Sequence, residues 1–167
     1  MNPAPFQLSA LDTHWDRRNF DCGSEVLNRY FREQVTQDMR RRITACFVAK
    51  DEAQSIAGFY TLASASLLVS DVPETLRKKL PRYPTLPAVR MGRLGIDINF
   101  QKQGLGGALL ADALHRAAKA EIAAYALLVD AKDETAKLFY QHHGFIALPD
   151  AALTLFLPLA TAFPNKP

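Results

Sequence analysis

The feature that most constrains this chain is an apolar strand that leads through a polar turn into a glycine-rich helix start. Residues 93–110 read RLGIDINFQKQGLGGALL. Glycines at positions 104, 106 and 107 let the backbone approach a ligand closely, and the unpaired N–H groups at a helix N-terminus attract an anion. The pattern therefore predicts a site for a phosphate-bearing cofactor.

Two common nucleotide-binding motifs are excluded by the spacing of these residues. A P-loop requires Gly-Lys-Ser/Thr at the helix start, whereas Gly106 is followed by Gly107, Ala108 and Leu109. A dinucleotide fingerprint requires Gly or Ala where Leu109 stands and an acidic residue roughly 20 positions later. What remains is Gln-x-x-Gly-x-Gly from Gln101 to Gly106, which alone is also typical of ordinary helix starts.

The second half of the chain carries a motif that supports the first. An apolar run over Ile122–Asp130 predicts a buried strand, and Asp133–His143 predicts a helix that stops at Gly144. Strand, glycine-led helix, strand and a short helix ending in Phe-Tyr-x-x-x-Gly-Phe resemble the acetyl-CoA-binding half of the GNAT acetyltransferases. The resemblance is specific because two separated motifs agree with that family in their order and in the distance between them.

The first half of the chain narrows the resemblance. The run Phe20-Asp21-Cys22-Gly23-Ser24 precedes a long amphipathic helix, and a strand at Ala57–Ala63 comes before the glycine turn. Over about Phe6–Phe156 the chain resembles the GNAT toxins of toxin–antitoxin pairs. This implies acetylation of the amino group of aminoacyl-tRNA and inhibition by a ribbon-helix-helix antitoxin. Asp133 departs from the wider superfamily, in which many members carry an asparagine that touches the cofactor.

The resemblance also implies where acetyl-CoA lies. It would occupy a gap between the strand ending near Ile96 and the strand at Ala124–Val129, with its pyrophosphate on the amides of Gln103–Gly107. Backbone N–H groups beside the thioester would stabilise the oxyanion that forms when an amine attacks. The implied cofactor-binding residues are Leu94, Gly95, Ile96, Gln101, Lys102, Gln103, Gly104, Leu105, Gly106 and Gly107.

Tyr140 is the catalytic residue that the resemblance implies. A phenol with a pKa near ~10 is protonated at neutral pH and can protonate the leaving thiolate as a general acid. Without the glycine motif, an aromatic residue packed on the sheet would be the better interpretation of Tyr140. No general base is singled out, since an α-amino group with a pKa of about 8 is already partly a free nucleophile. His142 and His143 fit a solvated helix end.

Length and composition indicate a single enzyme domain spanning residues 1–167. Of the 167 residues, 49% are hydrophobic and 22% are charged, as in ordinary globular domains. No apolar run approaches the roughly 18 residues of a membrane span, and the start of the chain does not read as a signal peptide, so we expect a cytoplasmic protein. Cys22 and Cys46 are interpreted as reduced structural thiols, and no metal site is predicted.

The apolar periodicity predicts a mixed central sheet with helices on both faces. The resemblance implies that this arrangement is the α/β (α+β) GNAT fold. A helix from Ser24 to about Arg41 would place Leu27, Phe31 and Val35 on one face, with Val26 and Tyr30 beside them. A loose tail is expected from about residue 160. The other predicted elements are strands at Phe6–Leu8, Ile43–Lys50, Ser55–Val69, Ala88–Asp97 and Ala152–Leu157, and a small helix near Pro73.

Basic residues suggest the acceptor substrate. The formal net charge is only +3, yet positive charges cluster at 40–42, at 77–82, and at Arg90 and Arg93. Such clusters can follow a phosphate backbone, although charge runs are more often solvated surface. Because Arg90 and Arg93 lie on the strand approaching the predicted active centre, we expect them to contact tRNA. The same charges would also suit an acidic antitoxin segment or the 3′-phosphate of CoA.

Three other functions stay open at this point. The protein could acetylate a protein N-terminus or a lysine, acetylate a small amine, or bind CoA without catalysis and dock a partner. The first two need no extended basic surface, and the third predicts cofactor affinity without turnover. A homodimer is also expected, because folds of this kind commonly pair.

Overall fold

The computed structural model describes residues 5–163. Seven strands form one sheet in the order β1-β2-β3-β4-β5-β7-β6. The strands are β1 Gln7–Ala10, β2 Ala45–Lys50, β3 Ile56–Leu68, β4 Thr85–Ile96, β5 Ala126–Asp130, β6 Ile146–Leu148 and β7 Ala151–Pro158. The α-helices are α1 Glu25–Arg29, α2 Val35–Arg40, α3 Glu74–Arg77, α4 Leu105–Lys119, α5 Glu134–His142 and α6 Leu159–Ala162.

The sheet is mixed. Strands β1, β2 and β3 pair antiparallel, and so do β5 with β7 and β6 with β7. Strand β4 pairs parallel with β5, from Ala88 opposite Ala126 to Met91 opposite Val129. Parallel neighbours need a crossover connection, and α4 provides it. The predicted mixed sheet is therefore confirmed.

The chain divides into two compact units. The first contains the described residues up to Ala63 together with Gly92–Ala113, and the second contains Ser64–Met91 and the described residues from Leu114 onward. Among residues 5–163, no helix combines the length and the apolar composition needed to cross a membrane.

The first unit has an aromatic core. The rings of Phe31 and Phe59 are stacked with centroids 4.3 Å apart, and Phe20 meets both edge-on. Helix α4 is fixed to β3 by a polar contact, in which the Tyr60 hydroxyl donates to Asp112 Oδ2 at 2.5 Å. This contact and the burial of Leu105 and Leu109 hold the first turns of α4 against the strands.

The second unit has a mainly aliphatic core formed by strands and loops. Ala126, Leu128 and Phe156 are buried side by side on β5 and β7. Val72 and Leu148 close the cluster from the loop before α3 and from β6. Because β5 is buried on both faces, its sequence Ala-Leu-Leu-Val is apolar without alternation.

The helix predicted from Ser24 to Arg41 is interrupted. Its start is as expected, since the Ser24 hydroxyl accepts from the Leu27 amide, but residues 30–34 form a π-helical turn between α1 and α2. The extra residue per turn rotates the helix face that follows it. Val26, which lies before this turn, is 81% exposed rather than beside the core as predicted. The half-buried Arg17 guanidinium lies against this turn and donates to the Phe31 carbonyl at 2.8 Å. The prediction of an uninterrupted helix was wrong because it assumed a constant 3.6-residue period.

Three smaller predictions also need correction. Strand β5 begins at Ala126, and Ile122 is 86% exposed in the loop before it. Strand β6, which has only three residues, was not predicted. Residues 160–162, assigned to a tail, belong to helix α6, in which Leu159 is buried. Residues 164–167 of the expected tail lie outside the described part of the chain.

Candidate active site

The loop between β4 and α4 begins at a buried carboxylate. Asp97 is 5% exposed, and its Oδ1 accepts from the Asn99 amide at 2.9 Å. Its Oδ2 accepts from the Asp21 amide at 3.1 Å, and its own amide donates to the Ala57 carbonyl at 2.8 Å. Three segments of the first unit are thus joined at one residue, which fixes the direction in which the loop leaves the sheet.

Gln101 fastens the next part of the loop. Its side-chain amide donates to the carbonyl of Ile96 at 2.9 Å and to that of Cys22 at 3.2 Å. The sequence predicts Gln101 as a cofactor residue, and its side-chain donor is engaged within the protein. The Gln101 side chain therefore stabilises the conformation of the loop.

The loop has the backbone geometry of an anion site. Lys102 and Gly104 both adopt left-handed conformations, with φ of 63° and 79°. Residues alternating in this way turn successive N–H groups toward one concave surface. A side chain at Gly104 would meet nothing within 4 Å, so the glycine is required by backbone conformation and not by space.

Helix α4 opens with unpaired amides. The Ala108 amide donates to the Gly104 carbonyl at 3.2 Å, which is the first helical hydrogen bond. Within residues 5–163, the amides of Leu105, Gly106 and Gly107 have no acceptor. Three free donors at the positive end of a 15-residue helix are able to bind an anionic group.

The end of β4 needs a small residue. A Cβ on Gly95 would lie 2.9 Å from the Phe59 ring and 3.4 Å from Cys22 Sγ, so only glycine fits without displacing the aromatic core. Leu94 and Ile96, on either side of it, are half-buried. The backbone that the resemblance assigns to the thioester is therefore held rigidly in the first unit.

Tyr140 lies in the second unit, on the last full turn of α5. Its side chain is 6% exposed, with the Phe139 and Phe145 ring centroids 5.2 and 5.7 Å away. The Tyr140 hydroxyl has no hydrogen-bond partner among residues 5–163. Every fully buried side-chain polar atom in this part of the chain has a hydrogen-bond partner. Since the Tyr140 hydroxyl has none, it is not fully buried and reaches solvent.

The environment of Tyr140 keeps its phenol protonated. Burial of the phenol, and then the negative charge of Asp130, raise the pKa of Tyr140 to about 12. The phenol is therefore neutral throughout the physiological range and is available as a proton donor.

Asp133, whose contact with the cofactor the sequence left open, caps α5. Its Oδ1 accepts from the Ala136 amide at 2.8 Å. A carboxylate and an asparagine side chain serve this position about equally well. The cap and the left-handed Gly144, with φ of 92°, set the two ends of α5 where the sequence predicts them.

The two arginines predicted to contact tRNA have partners within their own units. Arg90 forms an ion pair with Asp130, both side chains being partly exposed. The guanidinium carbon of Arg93 lies 3.5 Å from the centre of the Tyr30 ring. Burial, together with the hydrogen bond to Asp38, raises the pKa of Tyr30. The arginines at 40–42 are exposed and form no ion pair within residues 5–163.

Sequence reasoning missed two residues of this region. The Asp97 side chain forms an Asx-type turn with the amide of Asn99, two residues later. Asp130 is the last residue of β5, which is otherwise apolar. In both cases the available signal was an acidic residue at the carboxyl end of a strand. The partners of these carboxylates are distant in sequence, which is why their roles were not readable.

The chain belongs to the acetyltransferase (GNAT) domain family, whose sequence profile matches residues 20–153. A tRNA-acetylating toxin from Mycobacterium tuberculosis is 33% identical over 161 residues, covering 95% of this chain and 93% of that toxin. AtaT complexed with acetyl-methionyl-tRNAfMet gives a TM-score of 0.86 at 29% identity, with 95% and 97% of the two chains covered. A tyrosine-to-phenylalanine variant of AtaT, bound to the C-terminus of the antitoxin AtaR and to acetyl-CoA, gives 0.79 at 26% identity over 98% and 100%. The predicted resemblance to GNAT toxins is thereby confirmed.

Proposed function

We propose that this protein is a toxin-type N-acetyltransferase that transfers acetyl from acetyl-CoA to the α-amino group of aminoacyl-tRNA and so blocks translation. The observation that carries the proposal is the open N-terminus of α4, with free amides at Leu105, Gly106 and Gly107 behind a left-handed loop. The match to a tRNA-acetylating toxin over 95% of the chain supports the choice of acceptor.

In this proposal the backbone of the first unit binds the cosubstrate. The amides from Gln103 to Gly107 hold the pyrophosphate, and the Lys102 ammonium adds a positive charge to the same loop. Gln101 keeps the loop in shape through its bonds to Ile96 and Cys22. Backbone N–H groups at Leu94–Ile96 stabilise the oxyanion that forms when the amine attacks the thioester carbon.

Tyr140 acts as the general acid. The amine attacks the thioester carbon to form the C–N bond and a tetrahedral oxyanion, and the nitrogen releases its extra proton to solvent. The oxyanion then collapses, the C–S bond breaks, and the CoA sulfur takes a proton from the Tyr140 hydroxyl. The resulting phenolate regains a proton from solvent, which the hydroxyl reaches. A pKa of about 12 ensures that the phenol carries its proton at the start of each turnover.

Partners and location follow from the same proposal. Charged tRNA is the acceptor, and an antitoxin of the ribbon-helix-helix type holds the enzyme inactive, as AtaR binds AtaT. The protein acts in the cytoplasm as a single domain, and we expect it to form a homodimer. Arg93 and the exposed arginines at 40–42 are the stronger candidates for tRNA phosphates, because Asp130 offsets the charge of Arg90.

The proposal is tested by offering purified protein labelled acetyl-CoA with four acceptor pools: charged tRNA, deacylated tRNA, peptides and polyamines. We expect label on charged tRNA alone, recovered as an N-acetylamino acid after alkaline hydrolysis of the ester. Label on peptides or polyamines would support the corresponding alternative acetyltransferase. Acetyl-CoA binding without transfer to any pool would support a non-catalytic CoA-binding module.

A further inference from the structure

Three arginines of the first unit are half-buried, and they use their donors differently. The Arg17 guanidinium donates only to backbone carbonyls, among them that of Phe31 at 2.8 Å, and the Arg32 guanidinium donates to the Phe20 carbonyl at 2.9 Å. The Arg93 side chain has neither a hydrogen bond nor an ion pair within residues 5–163. Its N–H groups are therefore free to bind a ligand.

The Arg93 guanidinium is oriented by an aromatic ring instead. Its carbon lies 3.5 Å from the centre of the Tyr30 ring, and Tyr30 is only 4% exposed. The Tyr30 hydroxyl donates to Asp38 Oδ2 at 2.8 Å, which fixes the direction of the ring. Asp38 does not pair with Arg93, so the carboxylate anchors the ring without occupying the guanidinium. A ring face thus holds the cation while its donors stay open.

The π-helical turn brings Tyr30 and Asp38 together. The Val35 amide donates to the Tyr30 carbonyl, five residues back, so one extra residue is inserted between α1 and α2. Residues eight apart in a continuous α-helix lie about 80° apart around the axis, whereas residues seven apart lie about 20° apart. The inserted residue places Asp38 where position 37 of a regular helix would be. Tyr30 and Asp38 therefore share a face, and the turn has a use at the site.

Arg93 stands next to the backbone at which the proposed function places the reaction. It directly precedes Leu94–Ile96 on β4, whose N–H groups bind the thioester in that proposal. In aminoacyl-tRNA the amino acid is esterified to the terminal ribose. The anion nearest to the attacking amine is therefore the phosphodiester that joins the terminal nucleoside to the rest of the chain. Peptides and polyamines carry no such group.

We propose that Arg93 binds this last phosphodiester of the acceptor, and that Tyr30 and Asp38 are positioning residues brought into place by the π-helical turn. The inference rests on the proposed function and adds to it the part of the acceptor that is recognised. Selection of aminoacyl-tRNA then begins at its terminal phosphate, one ester and one ribose away from the amine. A guanidinium suits this task because its planar donors match two phosphate oxygens.

The first test compares two small acceptors that carry the same amino acid, an aminoacyl ester of adenosine and one of the dinucleotide cytidylyl-adenosine. Only the second contains a phosphodiester. The wild type should acetylate the dinucleotide ester with a kcat/KM about 10- to 100-fold higher, the value of a hydrogen-bonded charge contact, and Arg93→Met should remove this preference. Arg18→Met, at an exposed arginine paired with Asp16, should keep it. A dinucleotide ester that reacts no faster than the adenosine ester, or a preference that persists in Arg93→Met, would overturn the inference.

The second test separates positioning from a structural role. Tyr30→Phe and Asp38→Ala each remove the bond that directs the ring, and each should reduce the preference for the dinucleotide ester by about 2- to 10-fold, the effect of losing one fixed side chain. Asp38→Asn keeps an oxygen that accepts from the hydroxyl and should retain the preference. In all three variants the rate with the adenosine ester should be unchanged. Equal losses with the two esters would refute the positioning role.

The inference and the proposed function can fail separately. Equal rates with the two esters, together with acetylation of charged tRNA, would refute recognition of the phosphate and leave the proposed function intact. Label that enters peptides or polyamines but no aminoacyl ester would refute both. Circular dichroism of each variant checks that the fold is kept, so that a lost preference is not the result of unfolding.

Discussion

The Arg93 guanidinium lies over the Tyr30 ring, with its carbon 3.5 Å from the ring centre, and the Tyr30 hydroxyl donates to Asp38 at 2.8 Å. A ring face attracts a cation but does not neutralise it. The Arg93 charge is therefore held in one place and stays available to an anionic partner.

Arg93→Ala should weaken the binding of every aminoacyl-tRNA and reduce the slope of log affinity against log salt by about one, since one phosphate contact is lost. Filter binding at several salt concentrations measures both quantities. Arg18→Ala is the matched control, because Arg18 is exposed in the same unit and paired with Asp16. An unchanged slope in Arg93→Ala would move the tRNA contacts to the arginines at 40–42.

Gly106→Glu should abolish acetyl-CoA binding, because it places a carboxylate and a bulky side chain among the free amides at the start of α4. Calorimetry measures the affinity, and circular dichroism checks that the fold is kept. Ala111→Glu adds the same side chain to an exposed position on the same helix and should bind acetyl-CoA normally. Wild-type affinity in a folded Gly106→Glu variant would contradict the assignment of the phosphate site.

Tyr140→Phe should reduce kcat by about 10²–10⁴ while acetyl-CoA still binds. Stability should change little, because the hydroxyl has no hydrogen-bond partner among the described residues. Tyr83→Phe makes the same change at an exposed ring and should be fully active. Cells producing Tyr140→Phe without an antitoxin should also grow. Acetylation at the wild-type rate would eliminate Tyr140 as the proton donor.

Arg17→Met should destabilise the first unit by about 2 kcal/mol, the typical value of a hydrogen bond to a charged group. Arg17 donates to the Phe31 and Arg32 carbonyls in the π-helical turn, at 2.8 and 3.4 Å. Urea unfolding measures the loss, with exposed Arg18→Met expected within about 0.5 kcal/mol of the wild type. Equal stability of the two variants would show that water replaces the guanidinium at no cost.

Cys46 should make stability sensitive to alkaline pH. Burial raises the pKa of this thiol from 9.0 to about 12. The thiol stays protonated in the folded state while it ionises in the unfolded chain, so this contribution to stability is complete below about pH 9 and is lost as pH rises toward 12. The unfolding free energy of Cys46→Ala should fall less steeply over this interval. Parallel curves for the two proteins would be the contrary result.

Features set by neighbouring residues were predictable. Ser24 caps α1, Asp133 caps α5, and Gly144 ends α5 in a left-handed conformation, all as the residue types indicate. The turn that opens onto α4 was predictable for the same reason. Each depends on backbone hydrogen bonds or φ angles within a few residues, where the sequence carries the information directly.

Features set by distant residues were not predictable. Asp97 is 76 positions from Asp21, and Arg90 is 40 positions from Asp130. The Arg17 side chain that donates to the π-helical turn comes from the loop before α1. Which polar groups meet in such pairs depends on sheet order and register, and these are fixed by the packing of the whole chain.

The sequence by itself determined the local conditions for an anion site and a proton donor: glycines where φ must be positive, a helix start without capped amides, and a phenol on a short helix. The tertiary structure decided which contacts the polar side chains around those groups make. It bonded the Gln101 side chain to the Ile96 and Cys22 carbonyls, paired Arg90 with Asp130 and placed Arg93 over the Tyr30 ring. Conformational preference acts between neighbours in sequence, whereas burial and charge pairing act between neighbours in space.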